Sequence, residues 1–383
     1  MTTGQERDLL AQTADALLTR HCDAAVREAA EESGWAGGLW DRLEEAGFTR
    51  LDVPEAAGGS GGDCADALTL LELGGRHAVP LPLAESSMLG GWLLAAAGIP
   101  LPDGPLSVPV PHPGDELAVS GGRVSGQLHR VPWGGRAAAV AALASSADGL
   151  GSSADGTGFS ADGLGSSADG TVVVALDPGQ GAVTTARNLA GELRDRLVFD
   201  GVVLGGDRMA AAPPGTAARL ALRGALSRTA LLAGACARAA SLTIEYAQQR
   251  EQFGRPIARF QAVGSRLVQL TSEAELAMLA AQVAAIQFTA RDLDAAFEVA
   301  AARVSASRAA AQVGPHAHQV HGAIGMTREY ELHHVTRRLL AWRNEWGGET
   351  HWGAQIGERV LAGGADELWP LVSAGITAQE VSA

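Results

Sequence analysis

The sequence predicts an α+β, mostly α fold: an N-terminal helical domain over residues 1–105, a middle antiparallel β-domain over 106–212 and a C-terminal four-helix bundle over 213–383. Three observations carry this prediction. Apolar residues recur at three- and four-residue spacing before about Leu106 and after Pro213, the period of an amphipathic helix. Between those points lie short β-branched runs punctuated by Gly and Pro, which read as strands. Ala, Gly and Leu dominate while aromatics make up 4%, as expected of helices packed through small side chains. At 383 residues the chain is long enough for two or three domains and a sizeable core.

Taken in order, Glu6 to Ala30 reads as one helix with Leu10, Ala14, Leu17 and Leu18 on one side, and Trp35, Trp40, Leu43 and Phe48 suggest a second packed on it. The stretch from Leu51 to Gly62 is too glycine-rich for helix. It lacks the Lys-Ser/Thr of a phosphate-binding loop, so it reads as a connector to a helix around Ala65 to Gly75. Strands are expected at Ser107–Val110, Leu117–Val119, Thr171–Ala175 and Leu197–Val203. Within the β-domain, Ala-Asp-Gly recurs every seven residues from Ala147 to Ala168. This low-complexity insertion, residues 145–170, is expected to be a mobile surface segment, because it has too little apolar surface to offset its ordering entropy. Helices are then expected over Thr216–Gln249, Ile257–Thr289, Asp292–Val313 and Gln319–Trp342, with a last one near Thr350–Leu361.

Charge and cysteine usage exclude several classes. A net charge of -14 argues against sequence-independent nucleic-acid binding, which needs a basic face. All 29 basic residues are arginine, which reads as coding bias. Cys22, Cys64 and Cys236 are scattered and odd in number, so no disulfide framework is expected and a reducing cytoplasm is the default. The N-terminus lacks the basic and apolar regions of a signal peptide, and no run approaches a membrane span. No metal site is expected either: His316, His318 and His321 do not share one helical face. His333 and His334 read as surface or packing residues.

The functional signal centres on the stretch from Tyr246 to Gln261. Gly254 can take a left-handed conformation and Pro256 has its ring torsion preset for a following helix, so this is a helix-turn-helix corner. Arg250, Gln252 and Gln261 exceed what a turn requires. A guanidinium and amides beside a helix N-terminus suit a phosphate or nucleotide edge, although solvated caps would look the same. The pattern of Tyr246, Arg250, Gln252-Phe253-Gly254, Pro256 and Phe260-Gln261 resembles the flavin-contacting corner of the acyl-CoA dehydrogenase family. The segment from Gln319 to Tyr330 resembles the second family signature, and Pro54 to Gly59, Leu71 to Gly74 and Pro80 to Glu85 resemble the N-terminal domain of a short, actinobacterial-type branch.

The resemblance implies FAD as cofactor, with Arg250, Glu251, Gln252, Phe253, Phe260 and Gln261 carried over as contacts from the first signature. Gln319, Val320, His321, Gly322 and Ala323 are carried over from the second, which in the family reaches across a dimer interface. It implies α,β-dehydrogenation of an acyl thioester on CoA or a carrier protein, a flavoprotein electron acceptor, and a homodimer or homotetramer. Two departures stand out. The β-domain lacks an evident match to the family's Thr-Glu-Pro…Gly-Ser-Asp and Trp-Ile-Thr segments, for which Trp133 is a loose substitute. The positions aligned with the family's base are Gly224 and Trp346, and neither is acidic. Glu345 is therefore the first candidate base and Glu349 the second, and a base in an apolar pocket should have a raised pKa. The alternative is a catalytically silent subunit that binds FAD at a shared interface and completes a mixed oligomer with an active paralogue.

Overall fold

A computed structural model describes residues 4–146 and 170–373; the seven-residue repeat, and with it the expectation of a mobile insertion, lies outside the described residues save for its edges. The first expected helix is two, α1 (Gly4–His21) and α2 (Ala24–Ser33). The break falls at Asp23, whose carboxylate accepts the Val26 N–H at 2.9 Å as an N-cap, a role that favours leaving the preceding helix. α3 (Gly37–Glu45) follows, and α4 (Cys64–Arg76) opens on a capping box between Asp63 and Asp66. A π-helical turn, Glu85–Gly91, leads into α5 (Trp92–Ala96).

The middle domain is one eight-stranded sheet built from β1 (Leu106–Ser107), β2 (Glu116–Ser120), β3 (Arg123–Pro132), β4 (Ala139–Ser146), β5 (Thr171–Leu176), β6 (Ala182–Thr184), β7 (Arg194–Val203) and β8 (Met209–Ala211). The order is β6-β7-β3-β2-β4-β5-β8, with β1 beside β4. Pairings are antiparallel except β1–β4 and β2–β4, which are parallel. The strand expected at Ser107–Val110 shrinks to two residues because Pro109 and Pro111 cannot donate to a ladder. β3 and β4 went unforeseen, since glycine and alanine mask their alternation.

In the C-terminal domain α6 (Thr216–Gln249) takes the expected bounds, followed by the small hairpin β9 (Glu251–Gln252) and β10 (Arg255–Pro256). The remaining helices are α7 (Gln261–Arg291), α8 (Ala296–His321), α9 (Leu332–Trp342), α10 (Glu349–Gly363) and α11 (Leu368–Ser373). α8 runs past Pro315, where a stop was expected, because Val313, Ala317 and Val320 are buried and hold the helix against its neighbours. The fourth helix of the bundle, α9, begins at Leu332 instead of Gln319: Gly322, with φ 63°, turns the chain into a 3-10 segment, Gly322–Met326. α4 and α6 cross with their backbones in contact. A Cβ at Gly75 would overlap the Leu231 carbonyl, and one at Gly234 the Glu72 carbonyl. The N-terminal domain and the bundle therefore share one core, running from Ala14 and Leu43 to Phe288 and Trp352.

Candidate functional site

At the end of α6 the Arg250 N–H donates to the Tyr246 carbonyl at 2.8 Å, and Ile257 N–H donates to the Arg250 carbonyl at 2.8 Å, closing the corner. Phe253 (φ 53°) and Gly254 (φ 78°) make its tip. A bulky residue in the left-handed region is strained, and Phe253 is also 91% exposed. Arg250, Glu251, Gln252 and Gln261 are exposed, and Phe260 is half-buried, 6.0 Å from the Phe253 ring and beneath the Arg255 guanidinium at 4.3 Å. The corner thus presents a cation, amides and an aromatic ring to solvent.

The second signature lies beside it. The His321 ring stacks on Tyr246 with centroids 4.5 Å apart and lies 4.9 Å from Tyr330, joining the ends of α6 and α8. Nδ1 of His321 pairs with the Ala317 carbonyl at 2.8 Å, and burial lowers its pKa, so the ring is neutral. Val320 and His321 are buried while Gln319, Gly322 and Ala323 are exposed. Of these five, Val320 can offer a ligand only backbone, His321 keeps a buried Nε2 without a hydrogen-bond partner, and Gln319 offers an exposed amide.

The base region differs from expectation. The Trp346 indole, 2% exposed and with φ 58°, lies directly on Gly224 of α6, where a Cβ would overlap the ring. It packs in one cluster with Leu89, Leu93, Leu106, Val173 and Leu220. The two positions aligned with the family base therefore fill one another. Glu345, the first candidate base, turns the other way into a buried ion network. Its Oε1 accepts from Arg194 Nε at 2.8 Å, and its Oε2 accepts from Arg228 Nε at 2.8 Å and Arg194 Nη2 at 3.2 Å. Arg228 also reaches Glu85 at 2.6 Å, and Arg194 reaches Glu192 at 3.1 Å. Trp342 Nε1 donates to the same oxygen of Glu192 at 2.9 Å, and Arg338 Nε lies 3.1 Å from the other. Burial would raise the Glu345 carboxyl, but Arg194 and Arg228 outweigh it and hold its pKa down to about 2. That is the reverse of the raised pKa expected of a base. Glu349, the second candidate, is the exposed first residue of α10, where a carboxylate complements the helix dipole.

Trp133, the loose substitute, is likewise structural. It sits at φ 48°, donates from Nε1 to the Gly34 carbonyl at 3.0 Å, and lies under the Arg194 guanidinium at 5.5 Å. Sequence reasoning missed Glu85, Glu192, Arg194 and Arg228. The one available signal was Arg223 and Arg228 inside the apolar run of α6, since buried arginine calls for partners.

Residues 4–100 match the acyl-CoA dehydrogenase N-terminal domain and residues 218–361 the acyl-CoA dehydrogenase C-terminal domain. The chain belongs to the acyl-CoA dehydrogenase family of FAD-dependent oxidoreductases. It is 32% identical over 344 residues to acyl-CoA dehydrogenase IpdE2 of Mycobacterium tuberculosis, covering 88% of this chain and 92% of that protein. It is 29% identical to acyl-CoA dehydrogenase FadE27 of the same organism, over 84% of this chain and 87% of that one. Among solved structures, the ChsE4-ChsE5 complex from Mycobacterium tuberculosis gives a TM-score of 0.81 at 25% identity, covering 94% of this chain and 98% of that chain. The exposed guanidinium and amides of the corner fit the phosphates and polar edges of FAD.

Proposed function

We propose that this chain serves the α,β-dehydrogenation of an acyl-CoA thioester as the base-lacking member of a mixed oligomer, in which an active paralogue supplies the carboxylate. The observation that carries this reading is the Trp346 indole seated on Gly224. FAD supplies the acceptor for the β-hydride, and the α-proton must leave to a carboxylate. Glu345 is held ionised by two arginines that it cannot leave without stranding their charge.

What the chain contributes in this reading is a binding surface. Arg250 offers charge to a phosphate, Gln252, Gln261 and Gln319 offer amides, and Phe253 projects toward a neighbouring subunit. α7 presents Val268, Leu276, Leu279, Val283 and Ile286 to solvent, an apolar stripe at helical spacing that marks an association surface. The ChsE4-ChsE5 complex joins two differently named proteins, which supports mixed assembly here by analogy. CoA is preferred over a carrier protein because the relatives are named acyl-CoA dehydrogenases, and electrons would pass on to a flavoprotein acceptor. Among the described residues no helix is long and apolar enough to cross a membrane.

The test is anaerobic mixing of the purified chain, supplied with FAD, with a panel of acyl-CoA thioesters. Flavin absorption should persist with the chain alone and bleach once a paralogue that carries the carboxylate is co-assembled. Bleaching by the chain alone would overturn the reading.

A further inference from the structure

We propose that His112, Asp115 and His129 form a binding site for a divalent transition-metal ion of the zinc class on the rim of the β-domain. One donor atom from each of the three lies within 4.8 Å of the others. In a tetrahedral zinc site with bonds of roughly 2.0–2.2 Å, donors stand about 3.3 Å apart, a separation reached by small rotations of the two rings. The sequence gives little sign of this, because His112 and His129 lie 17 positions apart and come together only when β2 and β3 pair as a hairpin.

The surroundings hold the three in place. The Asp115 carboxylate accepts from the backbone N–H of His112 at 3.0 Å and of His129 at 2.6 Å, which fixes its plane. His129 Nδ1 lies 3.1 Å from Asp115 Oδ1, and the two imidazoles face each other with centroids 4.5 Å apart. Gly114 lies against both rings, and its N–H donates to His112 Nδ1 at 3.0 Å. A Cβ there would lie 3.1 Å from His129 Cε1 and 3.2 Å from His112 Nδ1, so a larger residue would have to push the two rings aside. His129 stands at a register shift of β3 between Leu128 and Val131, and the neighbouring Arg130, at φ 49°, turns its guanidinium onto the Pro111 carbonyl. Such irregularities are found where a strand re-aims side chains. All three residues are half-buried and reachable from solvent.

Two neutral imidazoles and one carboxylate are the donor set of zinc, cobalt or nickel, whereas magnesium and calcium require oxygen donors. Three protein ligands leave a position for water. The bound ion takes the place of the contact between His129 Nδ1 and Asp115 Oδ1, and it ties the loop before β2 to β3.

The test uses tag-free, chelator-treated full-length chain titrated with Co2+ and then Zn2+. One Co2+ per chain should appear with the visible absorption of a protein-bound ion, and Zn2+ should displace it. His112→Ala and His129→Ala should each weaken binding by at least about tenfold, while His316→Ala leaves it unchanged. Asp115→Asn keeps an acceptor oxygen for only one of the two backbone N–H groups, so it should weaken the ion and lower the metal-free melting temperature as well. No saturable binding, or binding that survives both histidine variants, would overturn the proposal. Loss of metal-free stability in Asp115→Asn without any parental metal binding would assign the cluster to turn capping alone.

Discussion

Replacing Glu345 by glutamine removes one negative charge from a site where both carboxylate oxygens are committed to Arg194 and Arg228. The guanidiniums keep Glu192 and Glu85, but the network Glu85–Arg228–Glu345–Arg194–Glu192 then carries two cations against two anions, with buried Arg338 and Arg303 beside it. Arg303 already has its pKa lowered to about 9 by burial and by Arg228, and it leans on the carbonyls of Trp342, Arg343 and Glu345. Removing one partner of a buried pair costs about 3–5 kcal/mol. Linkage gives a similar figure: a drop from 4.5 to about 2 corresponds to roughly 3 kcal/mol at 1.36 kcal/mol per unit. Because the folded pKa is depressed, this stability is present above pH 4.5 and is lost as pH falls from there through about 2. Urea unfolding of Glu345→Gln at neutral pH should show the loss, and the parent's acid transition between pH 4.5 and 2 should flatten in the variant. Glu349→Gln, on the exposed first turn of α10, should change little. A Glu345→Gln protein as stable as its parent, but unable to reduce flavin where the parent can, would refute the reasoning and restore Glu345 as the base.

Gly224→Ala places a methyl group in the Trp346 ring and should destabilise by about 1–3 kcal/mol; the loss should shrink in a Gly224→Ala, Trp346→Leu double variant, measured by the same unfolding. Arg250→Ala should weaken FAD retention by roughly 1.5–3 kcal/mol, the worth of a charge-assisted contact, read by flavin release on dilution, with folding unchanged because Arg250 is exposed. Paired Leu276→Glu and Leu279→Glu on the open face of α7 should reduce the assembly to a smaller particle in sedimentation, with the helix content of the parent. His334, lowered to about 3 by burial and by His333 and nearby arginines, is neutral in the fold and must charge on unfolding. Stability should therefore begin to fall below about pH 6.5, the unperturbed value, and His334→Gln should remove that part of the pH dependence.

The helical domains, the sheet between them and the helix-turn-helix corner were legible in the sequence because each rests on local chemistry. The period of Leu and Ala sets the faces of α6 and α7, Gly254 permits the corner's left-handed turn, and the run of residues around Arg250 and Gln319 stays contiguous in the fold. Helix ends were less legible where packing overrode a local stop, as at Pro315, or where a cap acted within an apolar pattern, as at Asp23. The fate of Glu345 was decided by tertiary structure alone. Its neighbours in the chain say only that a carboxylate stands beside Trp346, whereas its charge state is set by Arg194 and Arg228, 151 and 117 positions away. The same holds for Trp346 and Gly224, whose absent carboxylates were visible in the sequence but whose mutual filling was not. An ionisable group takes its properties from the charges and the dielectric around it, and those are assembled only when β7, α6 and the segment before α10 fold together.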